Sequence, residues 1–329
     1  MEPKITIACA DVVEFDCDVL VLKYAQKPYG ADKMVVQALQ EASPNDTLTI
    51  APRPGSYHLQ PSNGGVVATQ ILFVGVGPLY QFTYQRIREF AGNALQKLKA
   101  QVPEAKHVAM TIHGMGYGLD EREAFLAQLA GLLDAFASDK IPPALEHVTI
   151  VEHNWQRATR LQKVLDQYVV PTSLKSSPVA ATAYQPPPQP PIDAGIASNA
   201  KPHIFVAMPF SDDMEDVYVF GIQGPVNAAG YLCERVDMAI FTGDILQHIC
   251  TRIETADLVM ANLTGANANV YLEVGYAWGK GRPTLLLARS VEELKFDVQN
   301  HRCLIYKNIT DLAKKLTADL ARLAKPSKT

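Results

Sequence analysis

Residues 242–283 read TGDILQHICTRIETADLVMANLTGANANVYLEVGYAWGKGRP, and this stretch decides the fold of the last third of the chain. Three isoleucines recur at helical spacing from Ile245, and the apolar run 257–263 that follows is typical of a buried strand. A loop rich in asparagine and glycine then leads into a second helix, for which Asn269 is the expected N-cap. The pattern predicts helix, strand, loop and helix in succession, with Glu273 in the first turn of the second helix.

Apolar runs on both sides of this stretch extend the same alternation. Strands are predicted near residues 203–207, 284–287 and 303–306, and a final helix over 311–324 carries its leucines on one face. Continuous apolar strands joined by helices indicate a parallel sheet that is covered on both faces. We therefore predict an α/β domain with a flavodoxin-like parallel sheet over residues 201–329.

The position of Glu273 suggests a chemical role. In an open parallel sheet, ligands bind in the crevice at the carboxyl ends of the strands, and the loop 263–269 leaves the sheet at such an end. A carboxylate near a helix N-terminus is held ionised by the helix dipole, which suits it to stabilise or attack a cationic sugar carbon rather than to donate a proton. The same glutamate could instead be present only for that dipole, and its spacing does not decide between the two interpretations.

The segment HIFVAMPF at residues 203–210, followed by the stretch 242–283, resembles the nucleoside 2-deoxyribosyltransferase family and its TIR-like relatives. The resemblance covers residues 202–288 in the same order as in that family. It implies a glycosidase or transferase acting on an N-glycosidic bond, in which Glu273 of the sequence EVGYA is the nucleophile or the partner of an oxocarbenium ion. It also implies that Asp244, in a Gly-Asp pair, is the second catalytic residue, which helps to hold the sugar.

The same resemblance implies a set of substrate-binding residues. They are Met208, Pro209 and Phe210 after the first strand, and Asn262, Asn267 and Asn269 around the end of the central strand. The first three would border the pocket for the base or nicotinamide. The transferases usually carry an acid shortly before the catalytic glutamate, where this chain has Asn267 and Asn269, and relatives often have an aspartate in the position of Asn262.

The absence of an acid at positions 267 and 269 helps to decide which substrate the enzyme is expected to use. A neutral nucleobase needs a proton in order to leave, whereas the nicotinamide of NAD leaves as a neutral molecule from a ring that is already cationic. NAD or a related dinucleotide is therefore the favoured substrate, and we expect no separate cofactor and no metal. A nucleoside 2-deoxyribosyltransferase of nucleotide salvage and a non-catalytic nucleotide-binding sensor are the alternatives.

The first half of the chain is also α/β. Short β-rich runs alternate with helical patterns, and this alternation predicts a mixed sheet in a domain over residues 1–170. The predicted strands lie near residues 5–8, 19–22, 71–74, 108–112 and 148–151, and the predicted helices near 31–42, 83–101, 120–137 and 155–167.

Two glycine-rich segments in this half are candidate ligand loops. Their residues are Gly75 and Gly77 at the end of a strand, and Gly114, Gly116, Tyr117 and Gly118 between a strand and a helix. Closely spaced glycines let backbone N–H groups approach an anion, and the following helix adds its positive end, so the second loop could hold a diphosphate. Tight packing explains such glycines equally well.

Residues 4–168, with GMGYG at 114–118, resemble macro domains and the related N-terminal domain of leucine aminopeptidases. In macro domains the corresponding loop, of TGxYG type, wraps the diphosphate of ADP-ribose. The asparagine-rich motif of hydrolytic macro domains is absent, since this chain reads LKYAQ at 22–26. The resemblance therefore implies binding of an ADP-ribose-like nucleotide without hydrolysis.

Residues 171–200 join the two halves and are rich in proline, serine and alanine. This composition favours a semi-rigid polyproline spacer, and a merely disordered connection is the alternative. The pair of domains resembles bacterial antiphage modules, in which a nucleotide sensor controls an effector that consumes NAD. Relatives of both halves often build sites at subunit interfaces, so a homo-oligomer is expected.

Composition excludes several other classes of partner. The 329 residues carry a formal net charge of -4 without basic clusters, which argues against long nucleic acids and anionic membranes. No targeting segment is recognised at the N-terminus, and no apolar run is long enough to span a membrane. Five cysteines without paired spacing suit a reducing compartment, and we expect a cytoplasmic protein.

Overall fold

The computed structural model describes residues 2–45, 48–168, 193–236 and 245–323, which form two compact units. The first unit comprises Met1–Gly114 and Arg122–Asn199, and the second comprises Met115–Glu121 and Ala200–Thr329. Residues 193–199 of the predicted linker thus belong to the first unit, where Ser198 is completely buried and donates a hydrogen bond to Glu123. Residues 171–192 of that linker lie outside the described residues.

The first unit contains a six-stranded sheet with one antiparallel strand. Its strands are β1 (Lys4–Cys9), β2 (Val19–Tyr24), β3 (Tyr57–Pro61), β4 (Gln70–Gly75), β5 (His107–Thr111) and β6 (His147–Glu152). They lie in the order β1-β6-β5-β2-β4-β3, and only β3 runs antiparallel to its neighbour. The predicted mixed sheet is confirmed. The sequence did not reveal β3, a partly exposed edge strand that ends in proline and lacks an apolar pattern.

Four helices cover this sheet. They are α1 (Ala31–Ala42), α2 (Tyr84–Gln101), α3 (Glu121–Ala137) and α4 (Trp155–Tyr168). Leucine, phenylalanine and alanine side chains of α2 and α3 pack on one face of the sheet in a single buried cluster. The two helices approach closely at Gly131, since a Cβ added there would lie 2.1 Å from the Arg88 carbonyl oxygen.

The second unit contains a five-stranded sheet in which every pair is parallel. Its strands are β7 (His203–Ala207), β8 (Leu232–Glu234), β9 (Leu258–Asn262), β10 (Thr284–Ala288) and β11 (Cys303–Ile305). They lie in the order β11-β10-β9-β7-β8. The predicted parallel sheet is confirmed. Because strands are added on either side of β7, the winding reverses between β7 and β9, and the crevice for a ligand in such a sheet opens at the carboxyl ends of these two strands.

Helices cover both faces of the second sheet. They are α5 (Asp212–Asp216), which continues through the wide π-helical turns Val217–Gln223 into α6 (Gly224–Ala228), then α7 (Ile245–Thr255), α8 (Ala268–Gly279) and α9 (Ile309–Leu323). The segment from α5 to α6 packs with α9 on one face, and α7 packs with α8 on the other. No helix within the described ranges is both long and apolar enough to cross a bilayer.

Replacing Gly131 by alanine is expected to destabilise the first unit, because the added methyl group forces α2 and α3 apart. We expect a loss of about 1–3 kcal/mol, measured as a lower midpoint of thermal unfolding by circular dichroism. Gly92→Ala is the matched control in the same helix pair, since its Cβ would lie 3.4 Å from the nearest atom and alanine favours the helix. Equal responses of the two variants would contradict this packing.

Candidate functional site

The loop between β9 and α8 fixes the start of the helix that carries Glu273. Gly265 and Ala266 both adopt left-handed backbone angles, with φ of 76° and 50°. This turn places Asn267 at the N-cap, where its side chain accepts a hydrogen bond of 2.9 Å from the backbone N–H of Asn269. The prediction of Asn269 as the N-cap is therefore wrong by two residues, and Glu273 lies in the second turn of α8 rather than in the first.

Glu273 lies on the side of α8 that faces the sheet. Its neighbours on this stripe, Val270, Val274 and Ala277, are buried, and Glu273 itself is partly buried. Within the described ranges its carboxylate has no hydrogen-bond or ion-pair partner. Burial raises the pKa of Glu273 to about 7. The expectation that the helix dipole holds this carboxylate ionised is wrong, because the dipole acts mainly on the first turn and desolvation outweighs it here.

An unpaired carboxylate in such a place is unusual for a residue that only supports the fold. Burying a charge without a partner costs free energy, and a strongly shifted pKa without a structural ion pair is characteristic of functional sites. Helix α8 packs against β7, β9 and β10, and it begins directly after the loop that follows β9. Glu273 is thus carried by the helix that starts at the carboxyl edge of the sheet, where the winding reverses.

The residues after β7 form a cluster at the same edge. Met208 is buried, Pro209 is partly buried and Phe210 is 41% exposed. The guanidinium carbon of Arg235, the residue directly after β8, lies 4.7 Å from the centre of the Phe210 ring. The same carbon lies 3.8 Å from the centre of the Tyr218 ring, so the guanidinium contacts two aromatic rings.

Asn262 ends β9 and is completely buried. Its side-chain amide donates to the Tyr306 hydroxyl at 3.1 Å, and its side-chain oxygen accepts from the backbone N–H of Thr264 at 3.1 Å. Asn262 therefore shapes the loop after β9, and a direct contact with substrate would require these bonds to be exchanged. Asn267 and Asn269 lie at the start of α8, whereas Asp244 lies outside the described residues.

Gly75 and Gly77 lie at the carboxyl end of β4 in the first unit. A Cβ at Gly75 would come within 2.1 Å of the Arg53 carbonyl oxygen, so glycine is required there by the close approach of another backbone segment. A Cβ at Gly77 would lie 3.1 Å from the Arg86 guanidinium. The packing interpretation therefore accounts for Gly75, and Gly77 is the residue of this pair that lies beside a cation.

Three glycines of the loop after β5 have left-handed backbone angles. Their φ values are 92° at Gly114, 75° at Gly116 and 87° at Gly118, a region that disfavours residues with a side chain. A Cβ at Gly118 would lie 3.0 Å from His248 Nε2 and 3.1 Å from a methyl group of Val236. Close packing against protein atoms is therefore enough to explain a glycine at position 118.

The segment Met115–Glu121 is part of the second unit, although the sequence predicts it within the first. Tyr117 pairs antiparallel with Val236, and its carbonyl oxygen accepts a hydrogen bond of 2.8 Å from His248 Nε2. Asp120 is buried, and its carboxylate accepts from the backbone N–H of Cys233 at 3.0 Å and from the Asn227 amide at 2.7 Å. The segment that contains Tyr117, Gly118 and Asp120 thus packs beside β8, at one edge of the second sheet.

The first unit also holds a buried charged group that sequence reasoning missed. Lys23, near the end of β2, forms an ion pair of 2.8 Å with Asp32 of α1, and both are almost completely buried. His113 is equally buried and packs edge-on against Phe90 at 4.3 Å between ring centroids. Burial and the charge of Lys23 hold the pKa of His113 well below its usual value, so this imidazole is neutral. The only signal in the sequence is a lysine that interrupts the apolar run of β2.

About half of the chain is similar in structure to known macrodomains. No family model and no curated protein matches this chain. Among solved structures, an Oceanobacillus iheyensis macrodomain mutant with ADPR matches with a TM-score of 0.38 and 17% identity, over 50% of this chain and 93% of that one. A Trypanosoma brucei macrodomain in complex with ADP-ribose matches with a TM-score of 0.40 and 15% identity, over 49% and 68%.

The macro domain of ganglioside induced differentiation associated protein 2 matches with a TM-score of 0.38 and 16% identity, over 50% of this chain and 83% of that one. At these values the likenesses assign neither a ligand nor an activity to this chain.

The raised pKa of Glu273 predicts a pH-dependent stability. The folded state holds the proton up to about pH 7, whereas the unfolded state releases it near the ordinary glutamate pKa of 4.5. The carboxylate therefore destabilises the fold increasingly as the pH rises from 4.5 to 7, at roughly 1.4 kcal/mol per unit of pKa difference. Glu273→Gln removes this charge, so we expect a higher midpoint of thermal unfolding at pH 8 and a much smaller difference at pH 5.

Glu292→Gln is the matched control, because Glu292 is exposed and its pKa is lowered by hydrogen bonds with its own backbone and Ser290. This variant should not gain stability at pH 8. A Glu273→Gln variant that is less stable than the wild type at pH 8 would mean that the carboxylate has a partner.

Proposed function

We propose that the second unit is an N-glycosidase that uses Glu273 to cleave the glycosidic bond of NAD or a related nucleotide. The observation that supports this most is the partly buried carboxylate of Glu273, without a partner among the described residues, on the helix that starts at the reversal point of a parallel sheet. The strand order, counted within the unit as 2-1-3-4-5, supports a flavodoxin-like, deoxyribosyltransferase or TIR-like assignment. The sequence resemblance of residues 202–288 adds the expected role of this glutamate.

The proposed reaction needs no acid at the leaving group. When the bond between the sugar and the nicotinamide breaks, its electron pair passes to the cationic ring, which leaves as neutral nicotinamide. The positive charge moves to the sugar, where the ionised carboxylate of Glu273 stabilises or captures it. Water then adds to the sugar carbon and loses a proton, which gives ADP-ribose and restores the carboxylate.

A pKa near 7 suits this role when the substrate is cationic. The free enzyme holds Glu273 partly protonated, and the positive charge of the bound nicotinamide ring favours ionisation of the carboxylate beside it. Substrate binding thus converts Glu273 to the ionised form that the reaction needs. A neutral deoxynucleoside lacks this charge, which makes a salvage deoxyribosyltransferase the second candidate rather than the first.

The first unit is proposed to bind an ADP-ribose-like nucleotide and to control the glycosidase, as a sensor does for its effector in antiphage modules. This proposal is supported by the resemblance of residues 4–168 to macro domains and by the left-handed glycine Gly114 at the end of the first unit's loop after β5, where the backbone of a glycine lets an anion approach closely. A homo-oligomer and a cytoplasmic location are part of the same proposal.

Glu273→Gln is expected to lower kcat for NAD cleavage at least about a thousandfold, because it removes the charge that stabilises the sugar cation. Chromatographic analysis of nicotinamide and ADP-ribose measures this, and Glu292→Gln should retain wild-type turnover. For the wild type, kcat/KM should rise with pH and level off above about 7, since the ionised form acts. A profile that falls through pH 7 would make Glu273 a proton donor instead, and cleavage of deoxynucleosides alone would favour the transferase.

Gly114→Val is expected to weaken binding of ADP-ribose to the full chain at least about tenfold, because valine does not tolerate a φ of 92° and blocks close approach of the backbone. Isothermal calorimetry measures the affinity. Gly64→Val is the matched control, since Gly64 has a φ of 82° in a surface turn with open space around it. If the wild type does not bind ADP-ribose, or if both variants bind it normally, the first unit is a scaffold or an interaction module.

A further inference from the structure

The carboxyl edge of the second sheet carries a cation that the proposed reaction does not use. Arg235 follows β8 directly, and β8 lies beside β7, so its guanidinium reaches the residues after β7. Arg235 Nη1 lies 3.8 Å from the Met208 sulfur, and the guanidinium also contacts the rings of Phe210 and Tyr218. Arg235 thus lies beside Met208 and Phe210 at the carboxyl edge of the sheet.

The surroundings hold this guanidinium in one orientation. Its carbon lies 3.8 Å from one ring centre and 4.7 Å from the other, and Nη2 donates to a Glu215 carboxylate oxygen at 2.7 Å. The side chain of Arg235 is only 13% exposed. An arginine fixed in this way loses little conformational entropy when it binds an anion, which is the advantage of a preorganised site.

The guanidinium keeps hydrogen-bonding capacity beyond Glu215. It has five N–H donors, of which Glu215 accepts one and the Met208 sulfur is a weak acceptor for another. The residues described by the structure supply no further acceptor for it. Phe210, whose ring centre lies 4.7 Å from the guanidinium carbon, is 41% exposed, so this cluster reaches the surface of the protein. A phosphate is the anion that matches the planar fork of arginine in a bidentate manner.

We propose that Arg235 binds a phosphate group of the substrate, so that the enzyme acts on nucleotides in preference to nucleosides. This inference rests on the proposed function of Glu273. Arg235 lies on the face of the sheet that carries α5 and α6, whereas Glu273 lies on the face that carries α8. A ligand that reaches both crosses the carboxyl edge over β7, as ligands of doubly wound sheets do.

The spacing of the strands fits this placement. Helix α8 starts from β9, and β8 is two strands away, which is roughly 10 Å at the usual distance between strands. A substrate that contacts both residues therefore spans at least this lateral distance, which suits an extended dinucleotide such as NAD. Arg235 is a specificity-determining residue in this arrangement, and Glu273 remains the catalytic one.

Steady-state kinetics on the full chain test this proposal. Arg235→Gln should raise KM for NAD at least about tenfold with little change in kcat, because the phosphate contact is made equally in the ground state and the transition state. The KM for a deoxynucleoside without phosphate should not change. Arg235→Lys keeps the charge but loses the planar fork of donors, so its KM for NAD should lie between those of Arg235→Gln and the wild type. Equal KM values for NAD in all three proteins would overturn the proposal.

Arg302→Gln is the matched control, because Arg302 is an exposed arginine at the opposite edge of the same sheet, paired with Asp319 at 2.7 Å. Calorimetric titration with inorganic pyrophosphate provides a readout that needs no turnover. Arg235→Gln should show one binding site fewer than the wild type, and Arg302→Gln should show the same number. If the wild type cleaves no N-glycosidic bond, the proposed function fails. The number of pyrophosphate-binding sites still decides whether Arg235 binds a phosphate. An unchanged count in Arg235→Gln would overturn it.

Discussion

Burial of the central strands on both faces is the constraint on which both units depend. Strand β2 reads VLVL before Lys23, and β9 reads LVMA before Asn262, so each strand is apolar until its carboxyl end. Polar side chains between two helical layers would lose their water, so they are confined to these ends unless the protein supplies partners. The chain supplies them for Lys23, which pairs with Asp32, and for Asn262, which bonds to Tyr306. In β2 and β9, the polar side chains thus lie at the carboxyl end of the strand.

Glu273 departs from this rule, since its carboxylate is desolvated without a charged partner among the described residues. Replacing it by an amide or an apolar side chain would favour the folded state at neutral pH, so stability does not explain its presence. Proteins keep such destabilising groups where their chemistry requires them. The helix that carries Glu273 follows β9, whereas Arg235 follows β8 and contacts two aromatic rings, so the two residues belong to elements on either side of the reversal point of the sheet.

Much of this arrangement could be predicted from the sequence because it depends on local patterns. The apolar run of β9 and the amphipathic pattern after it predict the strand and α8, and they also predict that Glu273 lies on this helix. The sequence alone does not identify the N-cap, because Asn267 and Asn269 have equal capping preference. The left-handed angles of Gly265 and Ala266 decide between them, and these depend on the path of the loop.

Long-range pairings could not be predicted in this way. The left-handed glycines around Tyr117 suggest a turn, but nothing in their spacing shows that Asp120 bonds to Cys233 and Asn227, more than a hundred residues later in the chain. The raised pKa of Glu273 is equally a property of the packed structure, because the sequence gives the position of a carboxyl group on a helix but not the solvent that it loses.

The pKa of Glu273, with and without a cationic ligand, tests the central claim most directly. Carboxyl carbon NMR on protein labelled at glutamate, assigned with Glu273→Gln, would follow this single group during titration. We predict a pKa of about 7 in the free protein and a clearly lower value when a non-hydrolysable NAD analogue is bound. A pKa near the ordinary value of a glutamate in both states would contradict the account, because the carboxylate would then be neither desolvated nor in contact with the substrate.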